Sequence, residues 1–151
     1  MSGPGAAIVA EARLWLGTPY VHQASCRGGG ADCLGLLRGV WRGVVGQEPA
    51  PVPPYTADWN EAARSEALWE AARGVLCEKP LCKAAPGDVL LFRMRQGGVA
   101  KHLGLQSLTG SAPAFIHAYT GHGVIESPLS APWARRLVAR FAFPDTLETK
   151  E

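Results

Sequence analysis

Cys33, His102 and His117 are the residues of this chain whose types could together break an acyl bond. A cysteine attacks as its thiolate, an imidazole can take the thiol proton and pass it to a leaving amine, and a second polar ring can hold that imidazole in one orientation. The apolar spacing around Cys33 predicts a helix whose first turn contains it. Unpaired N–H groups and the positive end of the helix dipole would favour the thiolate there. His102 opens a predicted strand and His117 lies one strand later, so the two rings meet if those strands are neighbours and share a face. Asp32 falls at or near the helix N-cap. Each group also has a plainer role: Cys33 as a small core residue, the two histidines as satisfied structural donors, Asp32 as a cap only and Tyr20 as a packed aromatic. His22 and His122 have no geometric claim and are read as non-catalytic.

The elements needed to position these groups can be read from the period of the apolar residues. Ile8, Val9, Ala12, Leu14, Trp15 and Leu16 predict a first helix over residues 6–16, stopped by Gly17 and Thr18-Pro19. Residues 20–23 read as extended, and Gly28-Gly29-Gly30 as a loop that delivers the chain to Cys33. From Cys33, Leu34, Leu36, Leu37, Val40, Trp41, Val44 and Val45 recur at helical spacing as far as Gly46. Pro49, Pro51, Pro53 and Pro54 predict an extended connection over residues 48–55, and a third helix follows over 58–76. The period then changes. Short strands are predicted over 89–92, 102–108, 114–119, 123–126 and 136–143, separated by glycine or proline, as an antiparallel meander with a frayed charged tail at 145–151. Helices first and strands afterwards define an α+β class, with N-terminal helices packed on a C-terminal antiparallel sheet.

Composition narrows the function. A chain of 151 residues with 47% hydrophobic composition is sized for one domain. Its net charge of +2 does not advertise a nucleic-acid partner. No apolar run reaches the length of a membrane span, and the N-terminus lacks the pattern of a secretory signal, so a chain soluble in the cytoplasm when made is expected. Cys26, Cys33, Cys77 and Cys82 are not spaced as zinc ligands with a nearby histidine, and without a secretory signal a disulfide framework is the weaker reading. No metal or organic cofactor is expected.

The motifs Trp15-Leu16-Gly17-Thr18-Pro19-Tyr20, Ala31-Asp32-Cys33-Leu34-Gly35-Leu36, Ala85-Pro86-Gly87-Asp88-Val89-Leu90-Leu91-Phe92, His102-Leu103-Gly104-Leu105 and Phe115-Ile116-His117-Ala118 carry a resemblance. In this order and spacing they resemble the NlpC-type cysteine peptidases over residues 6–143, in particular the cell-wall peptidases of tailed phages and gene transfer agents. The resemblance implies a papain-like α+β fold and cleavage of peptidoglycan stem peptides, typically between D-glutamate and a diamino acid. It implies Cys33 as nucleophile, His102 as base and His117 as the polar orienting residue. It further implies Tyr20 as a substrate or oxyanion contact and Asp32 as the acidic residue that helps to hold a substrate amine. Leu34 stands where the family often has serine, and His22 where it commonly has an aromatic residue; both positions could line the groove, so the resemblance carries the substrate preference less far than the catalytic residues.

Amidase or acyltransferase chemistry would use the same thiol and imidazole, and a tail-tip adaptor could keep the fold without turnover. The phage-like resemblance implies incorporation into a tail tip or baseplate, with action on peptidoglycan in the periplasm of a recipient cell. The proline-rich segment from Pro49 to Tyr55, with Trp59 beyond it, is a candidate docking surface, or else a connector packed on its own domain.

Overall fold

The computed structural model describes residues 4–49 and 66–144. The polypeptide begins with α1 (Pro4–Arg13), whose Ile8, Val9 and Ala12 are buried. The expected last turn, to residue 16, is a series of hydrogen-bonded turns instead, in which Leu14, Trp15 and Leu16 donate to the carbonyls three residues back. A small hairpin of β1 (Ser25–Cys26) and β2 (Gly30–Ala31) then leads into α2 (Cys33–Val44). Gly30 therefore belongs to a strand rather than to a loop. Residues 20–23 are not uniformly extended either: Tyr20 bridges Ala31, whereas His22 and Gln23 form a turn with Gln23 at φ 63°.

Of the predicted third helix, α3 (Ala67–Val75) is described, and its expected beginning lies outside the described residues. So do Pro51 to Tyr55, Trp59 and the tail from residue 145. After α3 come β3 (Cys77–Lys79), β4 (Val89–Arg93), β5 (Ala100–Leu108), β6 (Ala114–Tyr119) and β7 (Gly123–Pro128). The short α4 (Ala131–Arg136) and β8 (Leu137–Ala142) complete the described chain. The expected meander holds from β4 to β7, but β8 returns beside β4 and β3 lies outside it, giving the antiparallel order β3-β8-β4-β5-β6-β7. Sequence periodicity missed β3 and α4 because a strand of three residues and a helix of six contain too few repeats to show one.

Alternation along the strands divides the sheet into two faces. Val89, Leu91, Leu103, Leu105, Ile116, Ala118 and Phe141 join Ile8, Trp15, Leu36, Val40, Trp41 and Leu68 in the main core. The opposite face carries a smaller cluster of Leu90, Phe92 and Phe115, covered by Trp133 and Leu137. Gly104 belongs to this second face: a Cβ there would meet the Phe115 ring, so glycine lets the ring lie flat across β5.

Beside these aromatics lies a buried polar anchor. Arg140 Nη1 donates to Asp88 Oδ2 at 2.7 Å and also to Gln106 Oε1, while Lys79 Nζ donates to Asp88 Oδ1 at 2.8 Å. Asp88, Gln106 and Arg140 are all buried, and Arg140 Nε also satisfies the Leu81 carbonyl at 3.0 Å. The network joins β3, β5 and β8 to the turn that starts β4. Removing one partner from a buried ion pair leaves the other charged and desolvated, which costs more than the pair contributes. Because Asp88 keeps Lys79 and the Ala85 N–H, Arg140→Met should lower stability in urea denaturation by about 1–3 kcal/mol; no measurable loss would show that the Arg140 contacts are dispensable.

Candidate active site

Asp32 sets the position of Cys33. Its Oδ1 accepts the Gly35 N–H at 2.7 Å as the N-cap of α2, and its Oδ2 accepts the Gln23 N–H at 2.7 Å. The side chain is buried, with the half-exposed His22 imidazole 3.7 Å away. A Cβ at position 35 would overlap the Ala24 carbonyl, so Gly35 is what allows the loop to close onto the first turn of the helix. Ser25 Oγ donates to the Gly35 carbonyl at 2.6 Å and completes the join.

Cys33 itself meets the sheet where two strands diverge. β4 and β5 stay paired as far as Arg93 and Ala100, and β6 and β7 as far as Tyr119 and Gly123. The β5–β6 ladder, by contrast, stops at Leu105 and Ile116. The β5 main-chain groups left over at that opening face the thiol: Cys33 Sγ donates to the Lys101 carbonyl at 3.8 Å, and the Leu103 N–H points at the sulfur. These groups belong to the residues on either side of His102. Across the same opening His102 Nε2 and His117 Nδ1 are hydrogen-bonded at 2.8 Å, and His117 Nε2 is 2.9 Å from Ser127 Oγ. Among the described residues no hydrogen bond joins the thiol to the His102 ring; the Nε2 bond leaves Nδ1 as the ring nitrogen that can take a proton.

Burial governs the charges. The His102 imidazole is pushed down to about 3, first by desolvation and then by His117. His117 is pushed down to about 4, by desolvation and then by His122. The desolvating matter is aromatic: Trp133 stacks on His102 with ring centroids 5.5 Å apart and meets His117 edge-on at 5.1 Å, while Tyr119 stacks on His117 at 5.4 Å. The Cys33 thiol is pushed up to about 12. Desolvation is the largest cause and the Asp32 charge adds to it, outweighing the N–H groups of Leu103, Leu34 and Cys33 that pull the other way. The N–H groups at the helix N-terminus do favour the thiolate as expected, while desolvation of the partly buried sulfur pulls the other way and has the larger effect.

Tyr20 lies at the same place. Its hydroxyl bonds Thr120, and its pKa is raised by desolvation and by the neighbouring Cys33 and Asp32, which keeps the phenol protonated as a donor. The structure therefore brings Tyr20, Asp32, Cys33, His102 and His117 into one region, with Asp32 committed to main-chain donors rather than turned into a groove. His122 reaches the site as well, stacked on Tyr119 at 5.3 Å. Ser127 and Trp133 were missed from the sequence. Ser127 lies diagonally across from His117 on β7, a signal available only once that pairing is known, and Trp133 carries no periodic signal in its six-residue helix.

No family model and no curated protein matches the chain by sequence. Solved structures do match it. The NlpC/p60 domain of peptidoglycan hydrolase SagA aligns over 93% of this chain and 100% of its own, at 25% identity and a TM-score of 0.61. The chain has the NlpC/p60 fold. An NlpC/p60 family protein from Bacillus cereus aligns over 95% of this chain at 17% identity and a TM-score of 0.63. NlpC1 from Trichomonas vaginalis aligns over 95% at 19% identity and 0.58. The chain spans only 41% of the Bacillus protein and 45% of the Trichomonas protein.

The raised thiol predicts a particular pH dependence. Because alkylation needs thiolate, the rate at Cys33 should climb about tenfold per pH unit from about pH 7 to about pH 10, without a plateau. The measurement is iodoacetamide labelling of a variant with the exposed Cys26, Cys77 and Cys82 changed to serine. A plateau between about pH 5 and about pH 8 would reveal a thiolate–imidazolium pair and refute the neutral resting state.

Proposed function

We propose that the protein is a cell-wall hydrolase, and specifically a cysteine endopeptidase of peptidoglycan stem peptides. The observation that carries this reading is the hydrogen-bonded row His102–His117–Ser127 set beside a cysteine at a helix N-terminus. The likeness to the NlpC/p60 domain of a peptidoglycan hydrolase supports the substrate class. Cleavage between D-glutamate and a diamino acid is the expected bond.

Cys33 and His102 begin neutral, so the thiol proton moves to His102 Nδ1 as the sulfur attacks the scissile carbonyl. Building an ion pair only as charge develops favours the transition state over the resting site. Helix N-terminal N–H groups and the protonated Tyr20 are the donors available to the oxyanion. His102 then protonates the leaving amine, and the same ring activates water to hydrolyse the thioester. His117 holds the ring through Nε2 throughout. Asp32 acts through the backbone by fixing Cys33.

Incubation with defined muropeptides, with products identified by mass spectrometry, tests both the activity and the bond. Cys33→Ala and His102→Ala should each fold and lose at least about a thousandfold in turnover, whereas His117→Asn should lose only about ten- to a hundredfold because asparagine can still accept from the base. Unchanged cleavage by Cys33→Ala would sink the assignment, and acyl-transfer products without hydrolysis would reassign the reaction.

The resemblance to phage and gene transfer agent peptidases further supports delivery in a phage-like tail tip. The expected outcome is that purified particles carry this chain at the tail, as judged by mass spectrometry and labelled imaging. Its presence only as a free periplasmic enzyme would reject delivery and leave the peptidase reading intact.

A further inference from the structure

His102 can serve as a base only in one tautomer, and the row of hydrogen bonds behind it offers two. The proton in the His102 Nε2···His117 Nδ1 bond belongs to one ring or the other. If His102 carries it, Nδ1 is an unprotonated acceptor for the thiol, and neutral His117 carries its own proton on Nε2, aimed at Ser127 Oγ. If His117 carries it on Nδ1, neutral His102 is protonated on Nδ1 and can take nothing from Cys33. His117 Nε2 is then a bare acceptor toward Ser127.

We propose that Ser127 is a positioning residue that accepts the His117 Nε2–H and thereby holds His102 in its base-competent tautomer. The inference rests on the peptidase reading of the site. Ser127 is on β7 two residues beyond Ile125, the partner of His117, and so on the same face, and sheet register supplies the 2.9 Å contact without a long flexible side chain. It is partly buried in a site roofed by Trp133 and Tyr119, where an N–H without an acceptor is costly and water is a poor replacement. Other titratable groups near His117 are His102, Tyr119 and His122; His102 holds the far side of the ring, and His122 stacks on Tyr119.

The proton count closes. As sulfur bonds to the carbonyl carbon, the S–H proton passes to His102 Nδ1, while the Nε2–H stays on His102 and continues to donate to His117. Its positive charge is thus shared along a row ending on the Ser127 oxygen, and no proton has to leave the row.

Ring nitrogen-15 spectra at neutral pH read the tautomers directly. In the unaltered protein both His102 and His117 should be protonated on Nε2 and bare on Nδ1. Ser127→Ala should shift both rings toward the Nδ1–H form and lower kcat about tenfold, with KM within about twofold, the size expected for one lost hydrogen bond. Ser127→Thr, which keeps the hydroxyl, should restore both the spectra and kcat. Nδ1–H rings in the unaltered protein, or identical spectra and kcat in Ser127→Ala, would overturn the assignment. The spectra report the tautomer whether or not muropeptide is cleaved, so failure of the peptidase reading and failure of the Ser127 inference give different results.

Discussion

A buried carboxylate must be given donors, and in this protein that requirement organises the active end. Asp32 is 2% exposed, and each of its oxygens takes a main-chain N–H, one from Gly35 in the helix and one from Gln23 in the preceding turn. An unsatisfied carboxylate at that depth would be worth several hydrogen bonds of destabilisation, so the turn at His22 and Gln23 and the start of α2 are coupled through it. The coupling explains why Gln23 accepts a positive φ, a strained conformation for a residue with a side chain. It also explains why position 35 is glycine. Tyr20, His22 and Cys33 acquire their places together because they flank the two ends of this one cap.

The opposite end of β4 is held by a different kind of contact. Asp88, Arg140, Gln106 and Lys79 tie β3, β5 and β8 to the turn before β4, so the sheet is pinned there. At the far end of β5 the ladder to β6 stops early, and side chains span the opening in place of main-chain pairs. Anchoring at one end of the sheet allows β5 and β6 to separate at the other. Into that gap the helix N-terminus delivers a thiol to main-chain groups that a neighbouring strand would otherwise have used.

Burial does two things at the site, and they oppose each other. It orders the rings: Trp133, Phe92, Phe115 and Tyr119 pack around the histidine pair and leave little rotational freedom. It also removes charge, lifting the thiol and lowering both imidazoles. Burial and the helix N-terminus therefore act on the thiol in opposite directions, and burial has the larger effect.

Much of the α+β order was legible in residue patterns because α2 and β4 to β7 are long enough to show a period and are bounded by glycine and proline. Asp32 as a cap was legible for the same reason: capping is local, decided within three residues. The types of Cys33, His102 and His117 made thiol–imidazole chemistry a candidate, and the resemblance of the motifs around them assigned the roles. Tertiary structure alone decided the rest. Whether His102 and His117 touch depends on which strands are neighbours and on where the β5–β6 ladder ends, and neither is encoded in spacing. The return of β8 beside β4 is a long-range pairing that no local period encodes, and Trp133 reaches the imidazoles from a six-residue helix too short to show a period. For Cys33 the helix N-terminus was visible in local pattern while desolvation was not: burial is the sum of contacts made by the assembled elements, and it exists only once they have come together.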